Sequence, residues 1–469
     1  MAPTHTESRP PGLIMASTCF AGVVLLIAFG LFVYGIDLHS IMFLCLLWTG
    51  GFCFCLGHDF TAIREMMAAA IVRALPAIYI FILIGMVIAS FMHSGTIAAL
   101  MYYGLNWISP ALFLPLGMLL CAIMSVATGT SWGTVGTLGV VFIGIGSAMN
   151  IPLPLVAGMI VCGATFGDKM SPVSDTTNLA AMSAGTNLYH HIYAMLFTTL
   201  PTFILALIIF AIYGVTMSAG DLPTTEIGAI QLALENQYTL MPLITLLPIV
   251  LMLVLSVKRV PAEIAMSASI LLAVMIAVIL QGDNLALVLN ALWSNSAPAT
   301  GIPNLDDLLG RGGIYSMSWT LILALMALAL GGLLHGSGIL EVLLRGIVAR
   351  VKSSTALVAT TMGSGLLGNM AMGEAYISII LNCQLFKARY KAQKLDSAML
   401  SRSVEEGSTL TTGLIPWTTA GAFYTATLGV PVLDYLPYAF FNYLNAPLAI
   451  AMAGLGWGVL RQSQTQVGN

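Results

Sequence analysis

A polar segment that contains a proline lies between two strongly apolar stretches of this chain. Residues 163–178 read GATFGDKMSPVSDTTN and bring together two aspartates, a lysine and several hydroxyl side chains. In hydrocarbon an unsatisfied polar group is costly and an ionised group costs more, so irregular polar backbone at membrane depth is expected only where it lines a cavity or an ion path. The segment therefore requires a fold that surrounds it with protein, and it is the first candidate for the functional site.

The composition indicates that lipid is the solvent of the chain. Hydrophobic residues make up 58% and charged residues 7% of the 469 residues, whereas soluble domains carry about 25% charged residues. This predicts an all-α polytopic protein embedded in a lipid bilayer. The basic residues occupy short separate loops and form no stripe, which excludes nucleic acid as a partner. The seven cysteines lie in apolar runs, and the G-x-G-x-x-G match at 363–368 lacks a βαβ unit, so no cofactor is expected.

Apolar runs of membrane-spanning length form two sets of five. The runs lie near residues 13–35, 40–56, 76–98, 156–185 and 192–215, and near 240–257, 262–281, 314–336, 397–430 and 438–460. Each set contains a Gly-rich stretch, 112–148 or 355–386, that is too interrupted to predict plain spans. The sequence around Gly57-His58-Asp59 also matches that around Gly282-Asp283-Asn284. These matches indicate a duplicated unit.

The duplication predicts two repeats of five spans, each with a re-entrant hairpin and a broken helix. The first repeat covers 13–217, with its hairpin at 112–148 and its broken helix at 156–185; the second covers 238–460, with its hairpin at 355–386 and its broken helix at 397–430. Polar tails at 1–12 and 461–469 flank the repeats, and a linker at 218–237 joins them. The linker contains acidic residues and no basic residue.

The distribution of basic residues predicts how the repeats lie in the membrane. Lysine and arginine favour the cytoplasmic side. Basic residues flank the second Gly-rich stretch on both sides: Arg345, Arg350, Lys352, Lys387, Arg389, Lys391 and Lys394. The second hairpin should therefore open to the cytoplasm, and the first, which has no basic flank, to the outside. We expect inverted repeats in a bacterial cytoplasmic (inner) membrane, with both termini cytoplasmic and the linker external. Inverted repeats with broken helices that meet near the midplane are typical of secondary transporters.

Three long motifs resemble the signature of the NhaC-type sodium:proton antiporters. They are ATGTSWGTVGTLG at 127–139, GDKMSPVSDTTN at 167–178 and EEGSTLTTGLIPWTT at 405–419. The resemblance implies exchange of sodium for protons by an elevator mechanism, in a homodimer whose transport domains slide against a fixed scaffold. The same family contains sodium-coupled malate/lactate exchangers and apparent amino-acid carriers. An exchanger of small organic carboxylates or amino acids is therefore the alternative function.

Sodium is a hard cation and prefers oxygen ligands. In the first half these oxygens would come from Thr128, Thr130, Ser131, Thr134, Ser174, Asp175, Thr176, Thr177 and Asn178. In the second half the corresponding candidates are Asn369, Ser408, Thr409, Thr412 and Thr418. The residues expected to ligate sodium directly are Asp175, Ser131, Thr176 and Asn178.

Proton coupling requires a carboxylate that holds either a proton or a sodium ion. Asp175 is the predicted exchanging group, with Ser174, Thr176 and Thr177 as co-ligands. Asp168 precedes Lys169 directly, so an ion pair with that lysine is its structural alternative. Glu374, Glu405 and Glu406 are the further candidates for coupling; pairing with Arg402 or an interhelical hydrogen bond is their alternative role. His190 and His191 fall between spans and are expected to be solvated loop residues.

Two other classes of protein are less consistent with this sequence. Residues 129–133 read GTSWG, which fits the G-x-S-x-G pattern of serine hydrolases, and Ser131 would then be the nucleophile. A hydrolase or a channel gives no reason for an inverted copy that carries its own carboxylates. The sequence therefore predicts a transporter and not an enzyme.

Overall fold

The computed structural model of the protein describes residues 10–107, 109–217, 224–348, 351 and 353–461. Outside these residues lie most of both predicted tails, residues 218–223 of the linker, and Arg350 and Lys352. The described residues are helical or irregular, with one isolated β-bridge between Leu395 and Arg461.

The first half of the chain contains eleven helices within the described residues. They are α1 (Leu13–Ala28), α2 (Leu38–Cys55), α3 (Phe60–Arg73), α4 (Leu75–His93), α5 (Thr96–Trp107), α6 (Pro110–Thr128), α7 (Ser131–Thr134), α8 (Val140–Ala148), α9 (Leu153–Met170), α10 (Asp175–Ala184) and α11 (Leu188–Met217). Turns of π-helix at Phe29–Val33 and Val135–Gly139 extend α1 and join α7 to α8.

The second half repeats much of this order after the linker. Its helices are α12 (Thr224–Gln237), α13 (Pro242–Thr245), α14 (Leu247–Val257), α15 (Ala262–Ile279), α16 (Leu285–Trp293), α17 (Pro303–Leu309), α18 (Ser318–Gly336), α19 (Ile339–Val348), α20 (Ser354–Met372), α21 (Ala375–Ala392), α22 (Ser397–Thr412), α23 (Thr419–Leu428), α24 (Val432–Tyr435) and α25 (Phe440–Gly454). Short 3-10 turns at Ile314–Met317 and Leu436–Tyr438 precede α18 and α25.

Eight helices in the described part of the chain are long and apolar enough to cross a membrane, or up to ten if two bent pairs each form one span. The chain is therefore a multi-pass membrane protein. Both arms of the first Gly-rich stretch, Pro110–Thr128 and Ser131–Ala148, are among the eight. Each arm is long and apolar enough to be a span by length and composition, and the expected interruption in the middle of the stretch lies at Gly129 and Thr130, between α6 and α7.

Each Gly-rich stretch forms two helices joined by a tip that turns in the same way. Gly129 has φ +70° and Gly373 has φ +65°, a left-handed conformation that glycine adopts without a Cβ clash. The next residues, Thr130 and Glu374, are extended with φ, ψ of −147°, 124° and −153°, 133°. Each is the N-cap of the following helix, since its side chain accepts a bond from a backbone N–H. The two tips are equivalent in backbone and differ in side chain.

The predicted broken helices are interrupted at corresponding places. In the first, α9 ends at Met170 and α10 begins at Asp175; in the second, α22 ends at Thr412 and α23 begins at Thr419. Ser174 and Thr418 are the N-caps of the second segments and accept backbone N–H groups. These caps satisfy donors that a helix start leaves unpaired, so each helix can restart inside the protein.

Glycines allow each hairpin to lie very close to the broken helix of its own half. A Cβ at Gly167 would overlap the carbonyl oxygen of Ala122 on α6, and a Cβ at Gly407 would come 2.5 Å from that of Met362 on α20. The second segments also contact the opposite half: α10 packs against α21 and α22, and α23 packs against α7 and α8. The two tips and the two interruptions are consequently brought to one region.

Candidate functional site

A cavity of about 820 Å³ lies where the tips and the interruptions meet. Its walls come from both halves and include the first tip, the end of α9, the start of α10, the second tip and residues of α22 and α23. Predicted site residues that line it are Thr128, Thr130, Ser131, Asp168, Asp175, Thr176, Glu374, Thr409 and Thr412. The cavity also reaches Arg73 at the end of α3 and Arg259 in the loop before α15, both exposed.

Asp168 lies at the centre of a group of hydroxyls in the first half. Ser131 Oγ donates to its Oδ2 at 2.8 Å, and Ser174 Oγ donates to its Oδ1 at 2.6 Å. Asp168 thus joins the first tip to the interruption after α9. Ser174 was expected beside Asp175 as a co-ligand, but its hydroxyl bonds to Asp168.

Lys169 is fully buried and lies between carboxylates from the two halves. Its Nζ is 3.5 Å from Asp168 Oδ2 and 3.3 Å from Glu405 Oε1, and it donates to Thr176 Oγ1 at 2.6 Å. The ion pair of Asp168 with Lys169 is thus present, and a second carboxylate shares the lysine. Because an isolated buried charge is strongly unfavourable, the group is held together by mutual compensation.

Glu405 has a second basic neighbour that the sequence did not indicate. His191 Nε2 lies 2.5 Å from Glu405 Oε2, and its Nδ1 lies 2.7 Å from Ser401 Oγ. Thr177 Oγ1 donates to Glu405 Oε1 at 3.1 Å. His191 has no exposed surface, so the interpretation of this residue as a solvated loop histidine is wrong: it lies in the first turn of α11 and is buried. His190 remains 44% exposed and lies 3.3 Å from Asp396.

Glu406 belongs to a separate buried pair. Arg402 Nε lies 4.0 Å from Glu406 Oε2, and Thr198 donates to Glu406 Oε1. Arg402 Nη1 also donates to the carbonyl oxygen of Gly458 at 2.9 Å. The expected pairing with Arg402 therefore applies to Glu406, whereas Glu405 pairs with Lys169 and His191.

Asp175 and Glu374 face the cavity from opposite halves. Asp175 is the first residue of α10 and is exposed to the cavity, while Glu374 is buried at the second tip. Thr176 N donates to Asp175 Oδ1 at 2.7 Å, and the phenol of Tyr376 donates to Asp175 Oδ2. Tyr376 N donates to Glu374 Oε2 at 2.7 Å. One residue of α21 therefore contacts both carboxylates.

The ion pairs distinguish these two carboxylates from the other three. Asp168 and Glu405 share Lys169, and Glu406 is paired with Arg402. Over the described residues, neither Asp175 nor Glu374 has a lysine, arginine or histidine nitrogen within 4.0 Å. The cavity therefore contains two carboxylates whose negative charge has no basic partner among these residues.

The other predicted site residues mainly stabilise the backbone around the cavity. Asn178 donates to the carbonyl oxygens of Pro172 and Ser174, Thr134 to that of Thr130, and Thr409 to that of Glu405. Asn369 donates to the carbonyl oxygen of Ser408 and to Thr411 Oγ1, deep between α20 and α22. Neither Asn369 nor Ser408 lines the cavity, although both were candidate ligands.

Tyr376 and His191 are the site residues that sequence reasoning missed. Tyr376 follows the second tip by two positions, and an aromatic residue in an apolar helix indicates packing in the first instance. His191 lies next to a solvated histidine near the start of a long apolar helix. Only the equivalence of the second tip to the first could have drawn attention to Tyr376; no sequence signal distinguished His191 from His190.

Comparison with known proteins identifies the family. The sequence profile of the Na+/H+ antiporter family matches residues 163–457, which include the interruption of the first broken helix, the second hairpin and the whole second broken helix. The Na+/H+ antiporter NhaC of Alkalihalophilus pseudofirmus is 37% identical over 430 residues, which cover 92% of each chain. This chain belongs to the Na+/H+ antiporter family.

Other proteins with similar sequences are described by different transported solutes. The arginine/ornithine antiporter ArcD of Halobacterium salinarum is 34% identical over 96% of this chain and 93% of its own. The malate-2H+/Na+-lactate antiporter of Bacillus subtilis is 34% identical over 84% of each chain. The resemblance inferred from the three motifs is thus confirmed as membership of the antiporter family, and these relatives mark the protein as a transporter.

Proposed function

We propose that this antiporter exchanges sodium for protons across the cytoplasmic membrane, with Asp175 as the group that binds either ion. The observation that carries the proposal is the position of Asp175 and Glu374: both face the cavity, and neither has a basic partner within 4.0 Å among the described residues. Asp168, Glu405 and Glu406 are already compensated and have a structural role in this proposal.

A cavity of low polarity disfavours the negative charge of a carboxylate, so a ligand that neutralises this charge binds favourably. A proton neutralises it covalently, and a sodium ion neutralises it electrostatically, so the two ligands compete for one group. Asp175 offers its carboxylate, and the hydroxyls of Thr130 and Thr176 and the carboxylate of Glu374 line the same cavity. Oxygen donors of this kind suit sodium. Sodium is the substrate here, and the protein requires no resident cofactor for this exchange.

The corresponding tips and interruptions support an inverted arrangement of the two halves. In this proposal the hairpins and broken helices form a transport domain, and the first two spans and the last span of each half form the scaffold of a homodimer. The cavity reaches the basic residues Arg73 and Arg259, which the positive-inside pattern assigns to the cytoplasm. We accordingly assign the cavity to an inward-facing state.

A cross-linking experiment tests the elevator part of the proposal. Cysteines introduced at Thr134 and at a scaffold residue are joined in a cysteine-free protein. The cross-link should stop exchange and leave sodium binding from one side intact, because the site and its ion move together past the scaffold. Full exchange in the completely cross-linked protein would instead support gating around a stationary site.

The cavity supports a second candidate function. A volume of about 820 Å³ is far larger than a single sodium ion and suits a small organic solute. Arg73 and Arg259 also line it, and their charge would favour a carboxylate of the solute. The relatives described as malate/lactate and arginine/ornithine antiporters make such a solute the alternative cargo.

Proteoliposomes with an internal pH dye test both functions. Sodium, lithium, malate, lactate, tyrosine and arginine are added singly, and sodium and each organic solute also together. Proton movement driven by sodium without any organic solute supports the primary proposal, and a strict requirement for one solute supports the second. Asp175→Asn should abolish sodium-driven proton movement and leave the protein folded, whereas Glu65→Gln, at an exposed position on α3, should have no effect. Normal coupling in Asp175→Asn would exclude the assignment of this carboxylate.

A further inference from the structure

Tyr376 is the residue that connects the two uncompensated carboxylates. Its phenol donates to Asp175 Oδ2 on α10 of the first half, and its backbone N–H donates to Glu374 Oε2 at the second tip. It is half-buried and lines the cavity beside both groups. The hydrogen bond from phenol to carboxylate is therefore a direct bond between the two halves at the ion site.

We propose that the phenol of Tyr376 takes the place of the transported cation in the empty site and is displaced when sodium binds to Asp175. This inference rests on the proposed role of Asp175. A hydroxyl group that donates to an ionised carboxylate stabilises the charged, unoccupied form of that carboxylate. Any ligand that binds the carboxylate at the same oxygen must offset the loss of this bond.

The geometry indicates why the phenol and the cation compete. Asp175 Oδ1 accepts Thr176 N within its own helix, a bond that fixes this oxygen at the start of α10. Asp175 Oδ2 is the oxygen directed across the cavity, and the phenol of Tyr376 occupies it. A sodium ion that entered from the cavity would meet Oδ2 first. The phenol hydrogen lies in the position beside Oδ2 that the ion would have to take.

The displacement also has a consequence for coupling. Tyr376 lies on α21 two residues after the tip, and α21 packs against α10. When sodium replaces the phenol, the hydrogen bond between the hairpin of the second half and the broken helix of the first half is lost. The tip is thereby released from α10 only in the loaded site. Tyr376 is thus a positioning residue whose bond reports whether the site is occupied.

Sodium binding to the purified protein tests the displacement directly. Tyr376→Phe removes only the hydroxyl, so the empty carboxylate loses a donor while the ring stays in place. We expect the sodium dissociation constant of the variant to fall by about threefold to tenfold, since the carboxylate loses a charge-assisted hydrogen bond that sodium would otherwise have to displace, and water replaces part of it. The maximal rate of exchange should change less than the sodium affinity.

Tyr390→Phe is the matched control. Tyr390 lies on the same helix, is buried and contacts Thr361 Oγ1 at 3.2 Å, away from the cavity. Its variant should bind sodium like the unmodified protein. An unchanged dissociation constant in Tyr376→Phe would overturn the displacement, and a raised constant would show instead that the phenol oxygen is a sodium ligand.

A measurement on the unmodified protein covers the case in which Tyr376→Phe does not fold. Sodium, added in place of choline, should speed hydrogen–deuterium exchange of the amides at 374–378, because the bond to α10 is lost on binding. Slower exchange there would contradict the proposal. If Asp175→Asn keeps normal coupling, the proposed function fails; if only the Tyr376 results are negative, the function stands and the displacement fails.

Discussion

Lys169 Nζ lies 3.3 Å from Glu405 Oε1, and this contact joins the first broken helix to the second. Both side chains are buried, and the lysine is also 3.5 Å from Asp168 Oδ2. The pair therefore couples the packing of the two halves. Removal of one partner from a buried group of charges leaves the other partners uncompensated, which is usually worse than removal of the pair.

Lys169→Met should consequently unfold at a much lower temperature than the unmodified protein. Loss of the lysine leaves two buried carboxylates without it, at a cost of about 3–5 kcal/mol. Lys169→Met combined with Glu405→Gln should recover part of this stability, because one of the two carboxylates that share Lys169 is then replaced by a neutral amide. Thermal melting in detergent measures both variants. A double variant that is less stable than Lys169→Met would contradict the charge compensation described for this cluster.

Asp168 and Asp175 should respond differently to the same substitution. Asp168→Asn weakens bonds from Ser131 and Ser174 and the pairing with Lys169, so we expect a clear loss of thermal stability. Asp175→Asn keeps an acceptor for Tyr376 and should melt near the unmodified protein. The melting temperatures of the two purified variants provide the comparison, and equal or reversed losses would disprove the structural role of Asp168.

The glycines at the two tips should be intolerant of a side chain. Gly129→Ala and Gly373→Ala force alanine into left-handed backbone, which costs about 1–2 kcal/mol. A Cβ at Gly129 would also lie 2.9 Å from the carbonyl carbon of Val173, and a Cβ at Gly373 would lie 2.8 Å from Cβ of Ala327. Gly363→Ala, in the second hairpin with Gly373, is the control, since no atom lies within 4 Å of a Cβ added there. We expect lower stability and exchange for the tip variants only, as measured by melting and by transport.

Cysteine labelling should determine the orientation of the chain. Asn236 in α12 and Lys258 after α14 are both exposed, and the charge pattern assigns them to opposite sides. In a cysteine-free protein, an impermeant reagent added to intact cells should label Asn236→Cys and not Lys258→Cys. Permeabilised cells should label both, which controls for access. Protection of Asn236→Cys in intact cells would exclude an external linker.

Arg311 should stabilise the C-terminal end of α23. Its Nη1 donates to the carbonyl oxygen of Leu428 at 2.9 Å, where a cation is favoured by the unpaired carbonyls of a helix end. Arg311→Gln should lower the melting temperature, with a loss of about 1–2 kcal/mol for a partly buried charged bond. Arg311→Lys should recover part of it because the charge remains. If Arg311→Lys melts no higher than Arg311→Gln, the positive charge is not what stabilises the end of α23.

Much of the architecture around the site could be predicted because its boundaries carry local signals. The interruption at 171–174 and the turn at Gly129 contain proline, glycine and hydroxyl residues in an apolar surrounding, and such residues break a helix in lipid only where protein surrounds them. Helices α3 and α16 were not predicted as separate elements. Helix α3 carries Arg64, Glu65 and Arg73, so no continuous apolar run marks it. The third span was predicted to run to residue 98, but α4 ends at His93 and a new helix, α5, begins at Thr96.

The side-chain partners within the site could not be predicted in the same way. The sequence places Ser174 next to Asp175, but the restart of the helix turns the Ser174 hydroxyl back to Asp168. Lys169 is adjacent to Asp168 in sequence, yet its second carboxylate comes from α22, more than two hundred residues later. Such partners depend on how distant helices approach each other, and a pattern read along one chain does not contain that information.

The equivalent tips at Thr130 and Glu374 make the two halves unequal in charge. The turns share their backbone conformation, but one presents a hydroxyl and the other a carboxylate. In the proposed inverted arrangement, the halves exchange roles when the carrier reorients, so its inward and outward states are not mirror images in energy. Sodium should accordingly be bound with different apparent affinities from the two faces of the membrane. In that arrangement we expect exchange rates that differ between the two directions of transport, even though the ion gradients alone set the direction of net exchange.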